Sequence, residues 1–307
     1  ANVGLIVQLT AMSSERIEPL QTLLQRRGAF YAVPFPRRPQ SVFTDVEMPV
    51  VILISTPLPL EPKFITANVN RFYSQERPHV TETLRLVQHG IRQNRHRLAK
   101  VGSTLEIDLY DEIAAQPNVL GALACGDSEW SMYYQEACRY WLKAIRGAPF
   151  FRRNGHRIEP PHGRTIHFVT QAASSFATCL LNSSLFYWLY SAMCDCEHVN
   201  DSFVREFPVA ANWERVDWCG LSAKLMRSLN QNAKRKIIST KQGHRIEYDE
   251  INAVHSKSVI DEIDTALANV FGLSPTELDF VINYDLKYRT GSEAEQESDE
   301  ATAAAAN

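Results

Sequence analysis

The chain has no C-x-x-C pair, and its six cysteines are spread over 307 residues. A disulfide-stapled miniprotein is thereby excluded, and with no secretory signal at the start the cysteines read as reduced thiols in a cytoplasmic protein. There is no G-x-S-x-G, no Walker loop and no G-x-G-x-x-G, which removes the ordinary hydrolase, P-loop and dinucleotide-binding readings. Long apolar runs are also scarce. Residues 168–194 carry no charge, yet Gln171, Ser174, Ser175, Thr178, Asn182, Ser183 and Ser184 interrupt them. The segment is therefore expected to be a buried helix, with no membrane partner.

What is present describes a globular protein of about two domains. Hydrophobic residues make up 45% and charged residues 22% of the chain, which argues against global disorder. The formal net charge of −3 hides an asymmetry. Five of the 35 acidic residues lie within residues 292–307, which hold no Lys or Arg, so residues 1–291 carry 32 basic against 30 acidic side chains. That tail lacks apolar periodicity and is expected to be disordered. The chain starts Ala-Asn-Val-Gly and runs at once into an apolar strand at residues 3–9, which suggests a fragment.

Ser13 and Ser14 are possible N-caps for a helix carrying Ile17, Leu20, Leu23 and Leu24, with Pro19 near its first turn. Residues 29–34 and 49–55 read as two further strands, the second apolar enough to be buried on both faces. This strand-helix-strand-strand order suits the end of an α/β sheet whose last two strands form a hairpin, with residues 35–48 as its loop. If strands 3–9 and 29–34 are parallel, that loop emerges at their carboxyl ends, the face where open α/β sheets bind ligands. The middle of the chain reads as a mixed domain with a strand at 165–170 and a long helix at 175–193. Near the end, Val259, Ile260, Ile263, Leu267, Val270 and Phe271 are spaced for a helix closed by Gly272. Ser274-Pro-Thr-Glu277 is a capping box that opens a second helix, so an αα-hairpin is expected.

Basic residues gather where acids are absent. Residues 83–105 hold Arg85, Arg92, Arg95, Arg97 and Lys100; residues 137–158 hold Arg139, Lys143, Arg146, Arg152, Arg153 and Arg157. Residues 218–246 hold Lys224, Arg227, Lys234, Arg235, Lys236, Lys241 and Arg245. Such windows suit phosphate contacts, although ordinary solvated faces give the same pattern. Several lookalikes fail. Glu61-Pro62-Lys63 imitates a nuclease signature, but a proline does not sit in a paired central strand. Asp285-Leu286-Lys287 falls on the capped helix, where residues two apart do not share a face. Cys194, Cys196 and His198 lack a distant partner pair and read as packing residues, so no metal is expected.

Taken in order, Val3-Gly-Leu-Ile-Val-Gln-Leu-Thr10, Arg38-Pro-Gln-Ser-Val-Phe43, Val50-Val-Ile-Leu-Ile54 and Asn70-Arg-Phe-Tyr-Ser-Gln-Glu-Arg77 resemble the second half of a gamma-type adenine-N6 DNA methyltransferase catalytic domain, as found in fused type II restriction-modification and phage-defence methylases. Leu181-Asn-Ser-Ser-Leu-Phe-Tyr-Trp188, Asp195 with His198-Val-Asn200, and Phe207-Pro208 are similar to that family's target-recognition region. Ser256-Lys-Ser-Val-Ile-Asp-Glu-Ile-Asp264 and Glu277-Leu-Asp-Phe-Val-Ile-Asn-Tyr-Asp-Leu-Lys-Tyr-Arg289 resemble its terminal helices.

The resemblance implies the fold and its division. Residues 1–82 would be the end of a class I methyltransferase α/β sheet, 83–255 an α+β target-recognition domain, 256–291 the helical hairpin and 292–307 the tail. It also implies what is missing, because neither the glycine-containing loop for S-adenosylmethionine nor the Asn/Asp-Pro-Pro-Tyr/Phe tetrapeptide occurs, and Pro34-Phe-Pro36 is no substitute. The complete enzyme would use S-adenosylmethionine, this chain would bind none, and a catalytic half would come from the same or a separate chain. In the family an aromatic in the hairpin loop packs against the extruded adenine, and Phe43 holds that position; an apolar plug at a hairpin end is the plain structural alternative. Arg37, Arg38, Arg71, Arg92, Arg95, Arg97, Lys100, Arg139, Arg152, Arg153, Lys234, Arg235 and Lys236 are the candidate contacts to double-stranded DNA. Two rival readings are a non-enzymatic DNA-specificity subunit docked on a separate catalytic chain, and an unrelated α/β scaffold, which basic windows scattered over the surface would favour.

Overall fold

Val3–Gln8 alternates half-buried and exposed residues and forms the edge strand β1 in the computed structural model, which describes residues 1–57, 63–240 and 242–291. The chain divides into one unit of residues 1–111 with 189–198 and another of 112–188 with the chain from 199 onward. The expected boundary at residue 82 is therefore displaced. The strand Val87–His89 pairs antiparallel with Lys63–Thr66, and the Lys100 N–H donates to the Ala192 carbonyl at 2.9 Å, which keeps both later segments with the first sheet.

In the first unit β1 is followed by α1 (Glu18–Gln25), β2 (Ala29–Phe35), β3 (Val50–Thr56), β4 (Lys63–Thr66) and β5 (Val87–His89), and the sheet order is β1-β3-β2-β4-β5. Ser13 and Ser14 do not cap α1; short 3-10 turns at Leu9–Met12 and Glu15–Ile17 intervene. β1 and β2 each pair antiparallel with β3, so they are parallel to one another with the hairpin strand between them. Leu24, Phe30, Ala32, Val51, Leu53 and Phe64 form the core on the α1 side. β3 is not buried on both faces throughout: Val50 is buried on the far side, but Ile54 is 41% exposed.

In the second unit one antiparallel sheet contains Ala124–Cys125, Ser131–Gln135, Ala144–Ile145 and Gly163–Phe168. Another contains β6 (Phe151–Arg153), β7 (His156–Arg157), β8 (Lys234–Ser239) and β9 (Arg245–Glu250), in the order β7-β6-β9-β8. The long helix expected at 175–193 is two helices, α2 (Gln171–Asn182) and α3 (Ser184–Met193). Ser183, with ψ of 158°, breaks them, and the buried Asp264 carboxylate accepts the N–H groups of Ser184 (2.9 Å) and Leu185 (3.2 Å). That carboxylate supplies the cap the new helix start needs. No helix among the described residues is long and apolar enough to cross a membrane.

The terminal helices are α4 (Lys257–Phe271), closed by Gly272 at φ 84°, and α5 (Pro275–Asn283), opened by the expected capping box. They are not a separate body, because Asp264 on α4 ties them to α3. Asp285 is not on the capped helix; it sits at φ 54° between α5 and the short α6 (Leu286–Arg289). Arg289 is wholly buried. Its guanidinium lies 3.7 Å from the Trp141 ring centroid and 4.4 Å from that of Tyr187, and donates to the Tyr140 carbonyl and the Ser184 hydroxyl. Residues 292–307, with the expected disordered tail, lie outside the described residues.

Burial raises the pKa of Asp264 to about 6 against the opposing pull of the Ser184 and Leu185 N–H groups. An unfolded aspartate titrates near about 3.9, so over the interval between the two values the folded chain keeps a proton that the unfolded chain has lost. Its stabilising contribution is therefore full below about pH 4 and is lost as pH rises to about 6. Asp264→Asn keeps an acceptor but cannot ionise, and is expected to flatten this part of the stability profile; denaturant unfolding across pH 4 to 7 checks it.

Candidate functional site

The loop at 36–49 joins β2 to β3. Within it the Ser41 hydroxyl donates to the Arg37 carbonyl and the Met48 N–H to the Val46 carbonyl, and two arginines from the Asn70–Arg77 stretch supply further donors. Arg77 donates to the carbonyls of Ser41 (2.8 Å) and Val42 (3.1 Å) and to the Thr44 hydroxyl (3.1 Å), and Arg71, 9% exposed, donates to the Arg38 carbonyl (2.8 Å). Arg77 is itself positioned by the 3-10 turn Ser74–His79, where Glu76 accepts the Tyr73 N–H, and its guanidinium lies 5.9 Å from the Phe72 ring centroid.

The side chains then divide, with residues 43–47 exposed in one run. Val42 and Met48 pack against the core of Val33, Phe35, Val50 and Phe72, while Phe43 stands 41% exposed. Arg37 and Arg38 do not point freely outward; both reach one oxygen of Glu197, at 2.9 and 3.3 Å, with their side chains 27% and 14% exposed. Glu197 is presented by a turn in which the Asp195 carboxylate accepts the N–H groups of Glu197 and His198. Arg77 and Glu197 were missed in the sequence; the one available signal was their place within stretches already singled out, Asn70–Arg77 and Asp195–His198.

The remaining candidates separate sharply. Arg97 and Lys100 are each 1% exposed and are not surface contacts, because Leu98, Ala99 and Val101 carry this stretch into the interior. Lys100 donates to the Cys194 carbonyl at 2.8 Å, and burial lowers its pKa. Arg71 is a loop anchor, as described. Arg92 grips Asp111 through both terminal oxygens, whereas Arg95 is exposed in the tight turn between Gln93–Asn94 and Arg97–Leu98. Arg139 is half-buried.

The second and third basic windows, by contrast, converge on one sheet. Arg152 and Arg153 lie on β6 and Lys234, Arg235 and Lys236 on β8, although Arg152 pairs with Glu247, Arg235 with Asp249 and Lys236 with Glu250. The guanidiniums of Arg235, Arg157 and Arg152 lie 3.6, 4.6 and 5.3 Å from the Phe150 ring centroid. Acid-free in sequence is thus not acid-free in space. Lys241 and Glu61-Pro62 lie outside the described residues.

Cys194 and Cys196 are buried and His198 is exposed, and no group of three metal-ligating side chains occurs among the described residues. Burial pushes the Cys194 thiol well up, so it packs as a small apolar residue. S-adenosylmethionine, implied for a complete enzyme, is not fitted by the residues present. β1 passes directly into the turn Leu9–Met12, whose Leu9, Ala11 and Met12 are buried, so no cradle opens there. The chain matches no protein-family model and no curated protein.

Removing the Arg77 fork is expected to free the loop. Arg77→Ala loses three hydrogen bonds at a partly exposed site, a cost of about 1 to 2 kcal/mol. Arg77→Lys recovers little, because an ammonium lacks the planar fork. Denaturant unfolding together with protease cleavage within 36–49 checks both.

Proposed function

We propose that this chain is the target-recognition part of a site-specific adenine-N6 DNA methyltransferase, which binds duplex DNA and stacks Phe43 on an extruded adenine. The observation that carries the reading is the pinned loop at the end of the β2–β3 hairpin, which lies inside the sheet between β1 and β4. Its backbone is anchored at Arg38, Ser41 and Val42 and its side chain at Thr44, and Phe43 is its exposed aromatic. Methylating an adenine amino group requires the base to leave the stack, and an aromatic face held in place is the ordinary way to keep it out.

The first sheet supports the accompanying claim that a catalytic half completes the enzyme. β1 is an edge strand whose outer side pairs with nothing among the described residues, and Ile6 (56% exposed) and Ile54 (41% exposed) share the face away from α1. An apolar edge of this kind is a template for a further strand. The cofactor loop and the catalytic tetrapeptide then belong to that half, in the same chain or a separate one. Arg37 and Arg38, paired to Glu197, orient the loop for its target.

Phe43→Ala tests the reading in the enzyme reconstituted with its catalytic half. The 41% exposure of Phe43 supports this reading over an apolar plug, for which a buried Phe→Ala change would cost about 3 to 5 kcal/mol of stability. Here stability is expected to change by no more than about 0.5 kcal/mol. The stacking contact, worth about 1 to 3 kcal/mol per base, is lost, and Phe43→Trp and Phe43→Tyr retain most of it. Fluorescence of 2-aminopurine at the target position should rise less with the Ala variant than with the parent. Undiminished enhancement would remove Phe43 from the site.

A further inference from the structure

An open cleft lies between the two four-stranded sheets of the second unit. Its floor is one face of the sheet that contains Ser131–Gln135, where strand alternation puts Tyr133 and Gln135 on the same side and pairing sets Ile145 opposite Tyr133. Its walls come from the β7-β6-β9-β8 sheet: Phe150, just before β6, Tyr248, the cross-strand partner of the buried Phe151, and Ile251, just beyond β9. The free space amounts to about 470 Å³ up to the mouth, most of it open to solvent, so the cleft takes one flat ring and not a larger enclosed molecule.

Two polar groups on the floor are unspent. Tyr133 is only 5% exposed, yet neither its hydroxyl nor the Gln135 amide has a hydrogen-bond partner among the described residues. A missing side chain brings them together. Gly163, the cross-strand partner of Gln135, does not have the positive φ that favours glycine, but a Cβ there would stand 1.9 Å from the Tyr133 hydroxyl oxygen and 2.1 Å from Cζ. The glycine gives the phenol room to lie across the strand Gly163–Phe168, with its hydroxyl beside Gln135. Burial raises the Tyr133 pKa to about 12, so at neutral pH the hydroxyl keeps its proton and both donates and accepts. Lys143 and Asp249 bring one charge of each sign to the lining, and Asp249 is paired with Arg235, so the cleft favours a neutral ring.

We infer that this cleft binds a single unpaired nucleobase, its edge against Tyr133 and Gln135, as a free nucleotide or as one base of a single strand. This is a base site of the second unit, and it goes beyond the proposed function because nothing in it depends on Phe43. A carboxamide presents a donor and an acceptor side by side and the phenol adds one of either kind, so the pair is satisfied by a ring edge that itself carries both. Nucleobases have such edges between two flat faces that pack on aromatic and apolar walls. A Phe or Trp side chain, with one donor or none, leaves the floor groups unpaired. A base within a duplex has its faces stacked and its pairing edge spent.

The test is calorimetric titration of the full chain with each of the four nucleoside 5′-monophosphates, with a mixed-sequence DNA single strand, and with N-acetyltryptophanamide as the rival aromatic. Binding of at least one nucleotide, or of the single strand alone, is expected, the first pointing to free nucleotides and the second to a strand as the source of the base. Tyr133→Phe removes only the hydroxyl, which bonds nothing in the fold, so it should keep the parent's thermal unfolding temperature while weakening binding about two- to tenfold. Gln135→Met, similar in length, should weaken it as much, and Gln231→Met, at an exposed position on the helix Trp218–Gln231, should leave it unchanged. If no nucleotide and no single strand binds, or if Tyr133→Phe and Gln135→Met both bind as the parent does, the inference is wrong, and the reading of Phe43 stands on its own residues. Tighter binding of N-acetyltryptophanamide than of every nucleotide and the strand would overturn it in favour of a protein side chain.

Discussion

A loop as long as residues 36–49 must find hydrogen-bond partners for its backbone, and in this protein that requirement fixes the candidate site. Burying carbonyls without donors costs about 1 to 3 kcal/mol each, so a loop packed by Val42 and Met48 holds its shape only if donors come from elsewhere. Arg71 and Arg77 bring them from a neighbouring segment. With the carbonyls of Arg38, Ser41 and Val42 held, the chain bends and turns through 42–45, and Phe43 opens a run of five exposed residues, 43–47.

The second unit depends in a comparable way on one carboxylate. Asp264 starts α3 by accepting its first N–H groups, and Arg289 bonds the hydroxyl of the same Ser184. Three stretches far apart in sequence, 181–188, 256–264 and 277–289, meet there. Each supplies one part of a single buried polar knot.

How far the sequence could be read follows the range of the interactions involved. The strand, helix and hairpin order of residues 3–56, the Gly272 stop and the Ser274–Glu277 capping box were legible because each depends on local periodicity or local capping. The break at Ser183 is marked locally only by a serine that accepts the Phe186 N–H, one of several serines in the stretch, and its other cap, Asp264, lies eighty positions from Ser184. The basic windows misled for the same reason. Absence of acids between residues 83 and 105 says nothing of Asp111, and the burial of Arg97 and Lys100 follows from the apolar residues around them, not from their charge. Phe43 was singled out through the resemblance, whereas the grip of Arg77 on both sides of it, at Val42 and Thr44, is displayed by no pattern in the sequence.

The most direct test of the account places a benzophenone photo-crosslinker at position 43 and irradiates the protein, assembled with the catalytic half proposed for it, on duplex DNA. The account predicts adducts on an adenine base within one recurring sequence, and none when that adenine is replaced by another base. Adducts spread over all bases without regard to sequence, or confined to the sugar-phosphate backbone, would contradict it.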